Sequence, residues 1–398
     1  MYILNAYYNL SDRFKYKEIY LTGRKYSDLI RVLFKTLYSL RNITKTNNIL
    51  IVPNRSVSPE FYSDIIKHFP DNIQFTYLID RSNWRSDIVY IDIFKLLARM
   101  IGKLCAKMLS PFLSGHKKRV IKASSISSVL WLSTLIEGFI LMNFFKMLFT
   151  IIKPKRVFAI SWYQHYPAII AARQLNIESY DVQHGVIHKE HYGYNYGCLD
   201  SMMLPSKFLL LGKYWERFIN INQPYKLEVI GNSYLSNAKN NDKMIPSKRI
   251  LIISQYSIRH QIKNEIIQKM KHFDGFELLY KLHPKERDEQ YYTDLIAAAD
   301  MNGVDLSIIG SQSSIRSLYP LCDKQIGVFS TSIYEGLEYG MCTLILKIAG
   351  WQNIMDIING NSVILDNSFA DMESFLENKK VNTGYKYFES SCLGSIAL

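Results

Sequence analysis

Short apolar runs, each followed by a stretch of helical character, recur along this chain and fix what it can fold into. "EIYLTG" (18–23), "NILIVP" (48–53), "IQFTYLI" (73–79), "RVFAIS" (156–161), "ESYDVQ" (178–183) and "KLEVIG" (226–231) form one series. After the polar joint "SNAKNNDKMIPSK" (236–248) the rhythm restarts with "RILIIS", "FELLYKL", "VDLSII", "QIGVFS" and "CTLILK". Strand alternating with helix requires parallel sheets covered on both faces. Two such series imply an α/β chain of two doubly wound, Rossmann-like domains facing across a cleft. The first spans residues 1–235, with a basic amphipathic helical insertion at about 92–150; 236–248 is the linker and 249–398 the second domain. At 398 residues the chain is too long for one ordinary core, which agrees with two.

In doubly wound sheets, ligands bind beyond the carboxyl ends of the strands. The chemically able residues of this chain stand there. His184 follows "SYDVQ", Ser254 and Gln255 follow "RILII", His283 follows "LLYKL", and Ser330 follows "IGVF".

Charge is distributed unevenly. Of a net +13, seven Lys/Arg and no acid lie between Arg99 and Lys122. Lys95, Arg99, Lys103 and Lys107 stand four apart, on one helical face, with Leu96, Leu97, Met100, Ile101, Leu104 and Met108 largely on the other. Such a helix, followed by "HKKR" (116–119), suits an anionic membrane surface, where each basic residue contributes about 1 kcal/mol. A helix face solvated on its own domain is the alternative. No nucleic-acid motif accompanies the charge, so nucleic acid is not an expected partner. Residues 123–145 carry a single charge, Glu137, and meet the length criterion for a membrane span. Serines crowd the start, Asn143 and Glu137 would sit deep, and a strand follows closely, so a buried helix feeding that strand is the better expectation.

Five scattered cysteines form no C-x-x-C pair, which points to a reducing compartment without disulfides or zinc fingers. The N-terminal stretch has acids and no long apolar core, unlike a secretory signal.

Three segments carry candidate chemistry. In "QHGVIHKEHYGY" (183–194), metal ligation would need His184, His188 and His191 held together, yet Gly185 interrupts and no acidic or cysteine ligand stands at companion spacing. No metal is expected. A loop histidine near neutral pH is better used as a base, and Gly185 lets the backbone approach a ligand. His165, in "SWYQHYPA", follows another strand and is either a lining residue of the same mouth or a structural loop histidine. In "KLHPKE" (281–286), Pro284 ends the ladder, and His283 with Lys285 can meet a phosphate; an ordinary strand-ending turn is the alternative. In "VFSTSIYEGLEYG" (328–340), Ser330, Thr331 and Ser332 precede a helix expected to start near Ile333. Its free N–H groups favour an anion, with Glu335 in the first turn to cap it or accept a ribose hydroxyl. Ser332 with Glu335 also fits a simple capping box.

The order "KPKRVFAIS…YDVQHGVI…LPSKFLLLGKYW…LEVIGNSYL…RILIISQ…YKLHPKE…VFSTSIYEGLEYG" resembles bacterial surface-polysaccharide glycosyltransferases of the GT-B fold, those of capsule and lipopolysaccharide (O-antigen) synthesis, over residues 150 to 350. The H-P and Ser/Thr-rich segments also resemble those of bacterial sialyltransferases and teichoic-acid polymerases. The resemblance implies an acceptor side bearing Gln183, His184, Gly185 and His165. It implies a donor side where His283, Pro284, Lys285, Ser330, Thr331, Ser332 and Glu335 hold nucleotide and phosphates. It also implies a nucleotide-sugar donor, a lipid-linked or growing glycan acceptor, no cofactor or metal, inversion at the anomeric carbon, and a peripheral place on the inner face of the cytoplasmic membrane. His184 is the expected base, with His283 its rival. The loop "QYSIRHQIK" after "RILIIS" lacks the glycine-rich phosphate turn of some GT-B enzymes, which leaves the donor type open. Polyol-phosphate transfer from a CDP-polyol, sugar-nucleotide epimerisation, and a non-catalytic membrane-associated subunit of a polysaccharide assembly remain alternatives.

Overall fold

The computed structural model describes residues 48–52, 75–79, 88–90, 92–113, 115, 127–191, 193–196, 201–221, 226–232, 235, 248–286, 288–311, 313–359, 362–377 and 386–389. The apolar run 18–23, Lys117 and Lys118, and joint residues 236–247 lie outside them. The chain divides into two compact units. One comprises Met1–His184, His191–Leu210 and Phe218–Val229; the other comprises Gly185–Glu190, Leu211–Arg217 and Ile230–Leu398.

The first unit holds β1 (Asn48–Val52), β2 (Phe75–Ile79), β3 (Ile88–Tyr90), α1 (Asp92–Leu109), α2 (Ser128–Ile152), β4 (Arg156–Ile160), α3 (Tyr166–Gln174) and β5 (Glu178–Val182). There follow the two-residue β6 (Asn195–Tyr196), then β7 (Lys207–Leu210), β8 (Asn220–Ile221) and β9 (Lys226–Val229). Seven strands form one parallel sheet in the order β3-β2-β1-β4-β5-β7-β9, while β6 and β8 pair separately. The second unit holds β10 (Arg249–Ile253), α4 (Arg259–Lys269), β11 (Glu277–Lys281), α5 (Thr293–Met301) and β12 (Asp305–Ile309). It continues with β13 (Lys324–Gly327), α6 (Thr331–Glu338), β14 (Cys342–Leu346), β15 (Val363–Asp366) and α7 (Phe369–Glu377). Its six parallel strands run β12-β11-β10-β13-β14-β15.

The fold expected from the sequence is therefore present: two doubly wound parallel-sheet α/β units. In each sheet the order reverses once, between β1 and β4 and between β10 and β13. Such reversals open the fork where loops diverge to opposite faces. Because both faces are covered, the strands read as unbroken apolar runs. In β10, four of five residues are buried, and Ile250 and Ile252 pack with Ile262, Ile266, Leu278 and Tyr280.

Helix α2 feeds β4, as expected, but runs 128–152 and is only partly buried. Ser127 caps it by accepting the Leu130 N–H at 3.1 Å. Leu141, Phe145, Phe149 and Ile152 pack with Val157, Ala168 and Ala172, while Leu135, Phe139, Met147 and Ile151 stay exposed. It is long and apolar enough to cross a membrane, yet Glu137 is buried on it and pairs with Arg99 of α1 at 3.2 Å.

Helix α1 carries the expected cationic and apolar rows, but packs through neither alone. It lies antiparallel on α2, with Phe94 stacked on Phe144 and Gly102 against the backbone of Ser133 and Glu137. The packed side consists of the small residues Ala98, Gly102 and Ala106, flanked by the cationic row. A Cβ on Gly102 would lie 2.8 Å from Ser133 O, so the close approach requires glycine. Leu97, Met100, Ile101, Leu104 and Met108 remain exposed. Close helix approach through a small-residue stripe outranks burial of the greasy face here.

Candidate functional site at the strand ends

In the first unit the chain leaves β4 through Ser161, which is fully buried and held in the left-handed region at φ 60. A non-glycine residue there is strained by about 1–2 kcal/mol, and such strain concentrates at functional turns. Two contacts hold it. The N–H of the next residue, Trp162, donates to Asp181 Oδ1 at 2.9 Å, and Tyr194 OH donates to Asp181 Oδ2 at 2.8 Å. Ser161 Oγ lies 3.0 Å from His184 Nδ1 and 3.1 Å from Nε2. One hydroxyl serves one ring nitrogen at a time, so Ser161 orients the imidazole through a single hydrogen bond. His184 is half-buried at the carboxyl end of β5, which suits a group that meets a ligand on one side and is oriented on the other.

Burial pushes the Asp181 carboxyl up to about 7, outweighing the Trp162 and Tyr194 donors that favour its anion. Gln183 is buried, its N–H extending the ladder to Leu209 O at 2.9 Å. His165 is buried where α3 begins, its carbonyl accepting from Ala168 and Ile169, so its ring is enclosed rather than set at a mouth. His191 serves the local turn, accepting from Gly193 N–H at 3.0 Å and meeting Tyr163 edge-on. His188, in the segment that groups with the second unit, is half-buried, and burial lowers its basicity. Among the described residues, no three of His, Cys, Asp and Glu gather as metal ligands.

In the second unit three loops leave the carboxyl ends of β10, β11 and β13. The first and third are tied together: Gln255 Oε1 accepts the Phe329 N–H at 3.0 Å. The middle loop turns on Glu286, a buried carboxylate absent from the sequence-based candidates. It accepts from Ser254 Oγ at 2.9 Å, from the His283 N–H at 3.1 Å and from Tyr292 OH at 2.9 Å. Lys281 is buried beneath, donating to Leu282 O at 2.8 Å and Gly310 O at 3.0 Å, and burial lowers its pKa.

These anchors set His283. Its Nδ1 accepts the Lys285 N–H at 3.1 Å, which fixes the tautomer with the proton on Nε2. Burial first, then Lys285 and Lys281, push it down to about 4, so the ring is neutral at pH 7. A neutral imidazole with Nε2–H is a hydrogen-bond donor, suited to an anionic oxygen and poorly suited to taking a proton. Pro284 and Lys285 are exposed at the turn.

Helix α6 begins at Thr331, two residues earlier than expected. Ser330 is its N-cap, accepting from Ser332 N–H at 3.3 Å. The capping box of Ser332 with Glu335 is not formed. Glu335 stands in the second turn and accepts from the buried Tyr319 hydroxyl at 2.8 Å, with Ser332 O 3.2 Å from the same hydroxyl. The two-residue offset arises because Ser330 already offers an oxygen at the strand end. Gly185 lies beside this terminus: a Cβ on it would sit 3.3 Å from Thr331 Oγ1. The glycine of the Q-H-G segment and the hydroxyl-rich helix terminus, far apart in sequence, are thus neighbours within the second unit.

Glu286→Ala would strand two hydroxyls and the His283 N–H, with an expected loss of about 2–3 kcal/mol in urea unfolding. Glu286→Gln, which keeps an acceptor, is expected to lose less. Equal stability of Glu286→Ala and the native protein would contradict the anchoring role.

No family model and no curated protein matches this chain. Solved structures similar to it include a glycosyltransferase from Rickettsia africae ESF-5 (15% identity, 87% of this chain and 95% of that one, TM-score 0.45). The UDP-GlcNAc 2-epimerase from Methanocaldococcus jannaschii is also similar (11% identity, 86% and 96%, TM-score 0.49). So is MurG from Acinetobacter baumannii (11% identity, 83% and 82%, TM-score 0.40).

Proposed function

We propose that this protein is a glycosyltransferase that moves a sugar from a nucleotide-activated donor to a hydroxyl of a growing bacterial surface glycan. The reading rests on the order of motifs over residues 150 to 350 and on one geometric observation. Gly185, next in the chain to His184, lies against Thr331 at the hydroxyl-rich start of α6. The glycine that follows the candidate base thus packs, within the second unit, on a terminus suited to phosphate.

In the proposed reaction the acceptor oxygen attacks the anomeric carbon while the bond from that carbon to the donor phosphate breaks. The phosphate departs with the bonding pair, and the acceptor proton passes to His184. In-line attack inverts the anomeric centre. The free N–H groups of α6, the hydroxyls of Ser330, Thr331 and Ser332, and His283 Nε2–H meet the charge that develops on the leaving phosphate. With Nδ1 occupied and the ring neutral, His283 is assigned to the phosphate rather than to the base role. Glu335, engaged by Tyr319, orients α6, and Gln183 and His165 support the first unit's strand ends from within. The acceptor is a lipid-linked or growing glycan, which places the enzyme on the inner face of the cytoplasmic membrane. No step draws on a cofactor or metal.

A thermal-shift screen with CMP, CDP, UDP, GDP and dTDP tests the donor side. A nucleotide at one hundred times its Kd adds about 2.7 kcal/mol to stability, and a rise of several degrees is expected for one of the five. The same nucleotide, linked to a sugar, should then support glycan transfer. A flat response to all five would overturn the reading.

A further inference from the structure

We propose that the outward face of α1 is a membrane-insertion surface that embeds Leu97, Met100, Ile101, Leu104, Met108 and Phe112 below the headgroups of an anionic bilayer. This goes beyond electrostatic adsorption of a basic helix, and it rests on the orientation of α1 rather than on the sugar-transfer reading.

Three observations carry it. The six side chains recur at helical spacing and on into the turn after α1, and all are exposed, Leu104 by 63% and Phe112 by 84%. Soluble proteins seldom leave a run of that size and character to water. The side of α1 that packs is already occupied: Ala98 and Ala106 are buried, and Gly102 lies on the backbone of Ser133, so the apolar face cannot turn inward without losing that approach. Lysines lie along one flank of the apolar row rather than within it: Lys107 is exposed beside Met108 and Lys103 is half-exposed, while Arg99 turns inward to Glu137. An apolar stripe flanked by lysines lies in the plane of a bilayer interface, about 5–10 Å deep, with its cations at the phosphates.

The charge also decides against a second copy of this chain as the occupant. An isologous contact through this face would set Lys103 and Lys107 of one copy against those of the other. An anionic bilayer removes that repulsion and supplies counter-charge. Helix α2 does not follow α1 into the bilayer. Its face bearing Leu141, Phe145 and Phe149 is packed on β4 and α3, so the attachment is to one leaflet.

Flotation with phosphatidylglycerol-containing vesicles and with pure phosphatidylcholine vesicles tests this on the full chain. The native protein is expected to float with the anionic vesicles. Met100→Asp with Leu104→Asp should lower that partition at least tenfold, with unchanged thermal unfolding because both sites are exposed. Lys103→Glu with Lys107→Glu should lower it as well, and added salt should weaken but not abolish binding. Leu104→Trp adds a direct reading: on vesicle addition its emission should shift to the blue and be quenched by brominated acyl chains. Undiminished flotation of the double aspartate variant would overturn the proposal. So would an unshifted Trp emission, or self-association relieved by the aspartates without any flotation. None of these readouts depends on transfer activity, so the sugar-transfer reading stands or falls separately.

Discussion

His184→Ala is expected to lower glycosyl transfer about 10²–10⁴-fold, the range for removing a positioned general base. Stability should be little changed, since His184 is half-buried at a strand end and outside the packed cluster of its unit. His283→Ala should lower transfer as well, at least about tenfold, by a different route. It removes the proposed phosphate donor, so the loss should be nearly independent of pH around neutrality, because the native ring is already neutral there. Ser161→Ala completes the comparison. It leaves the imidazole in place without its 3.0 Å partner, so a smaller loss and a displaced pH profile are expected. The measurement is initial rate against pH, with a nucleotide sugar chosen from the thermal-shift screen. Native-like rates for both histidine variants would defeat the catalytic assignment.

The second large effect concerns stability. Asp181 has its folded pKa raised by burial to about 7, while in the unfolded chain it lies near 4. The folded protein therefore holds a proton that the unfolded chain releases between these values. The contribution is complete below pH 4, is lost as pH rises towards 7, and changes little beyond. Over that window it amounts to about 4 kcal/mol. Asp181→Asn retains an acceptor for the Trp162 N–H and a partner for Tyr194 OH but carries no titrating group. The difference in unfolding free energy between native and variant should slope against the native protein from pH 4 to 7. Parallel curves would show that the carboxyl ionises without cost.

The strand pattern of the second unit was legible almost throughout. β10 to β14 coincide with the five apolar runs after the joint, because strands inside a covered parallel sheet are predominantly apolar, as the buried β10, β11 and β14 are. β7 and β15 escaped notice: "KFLL" is leucine-rich and reads equally as helix, and "VILD" is brief and ends in an acid. The strand-end placement of His184, His283 and Ser330 was also readable. The roles of their supports were not. Glu286 reads in sequence as one more polar turn residue. Its burial depends on donors from Ser254 and Tyr292, whose convergence no local pattern announces. The side by which α1 packs was not legible, for a similar reason. The cationic and apolar rows were visible, but the packing side belongs to Ala98, Gly102 and Ala106, a small-residue stripe four apart that could have been weighed against them.

The amide of Gln255 reaches across the fork of the second sheet to hold the Phe329 N–H. Fixing a residue's backbone costs about 1–2 kcal/mol, and in these two loops that cost is met when the chain folds. The tie between these two strand-end loops is therefore part of the fold itself, and a ligand at the fork would not have to supply it.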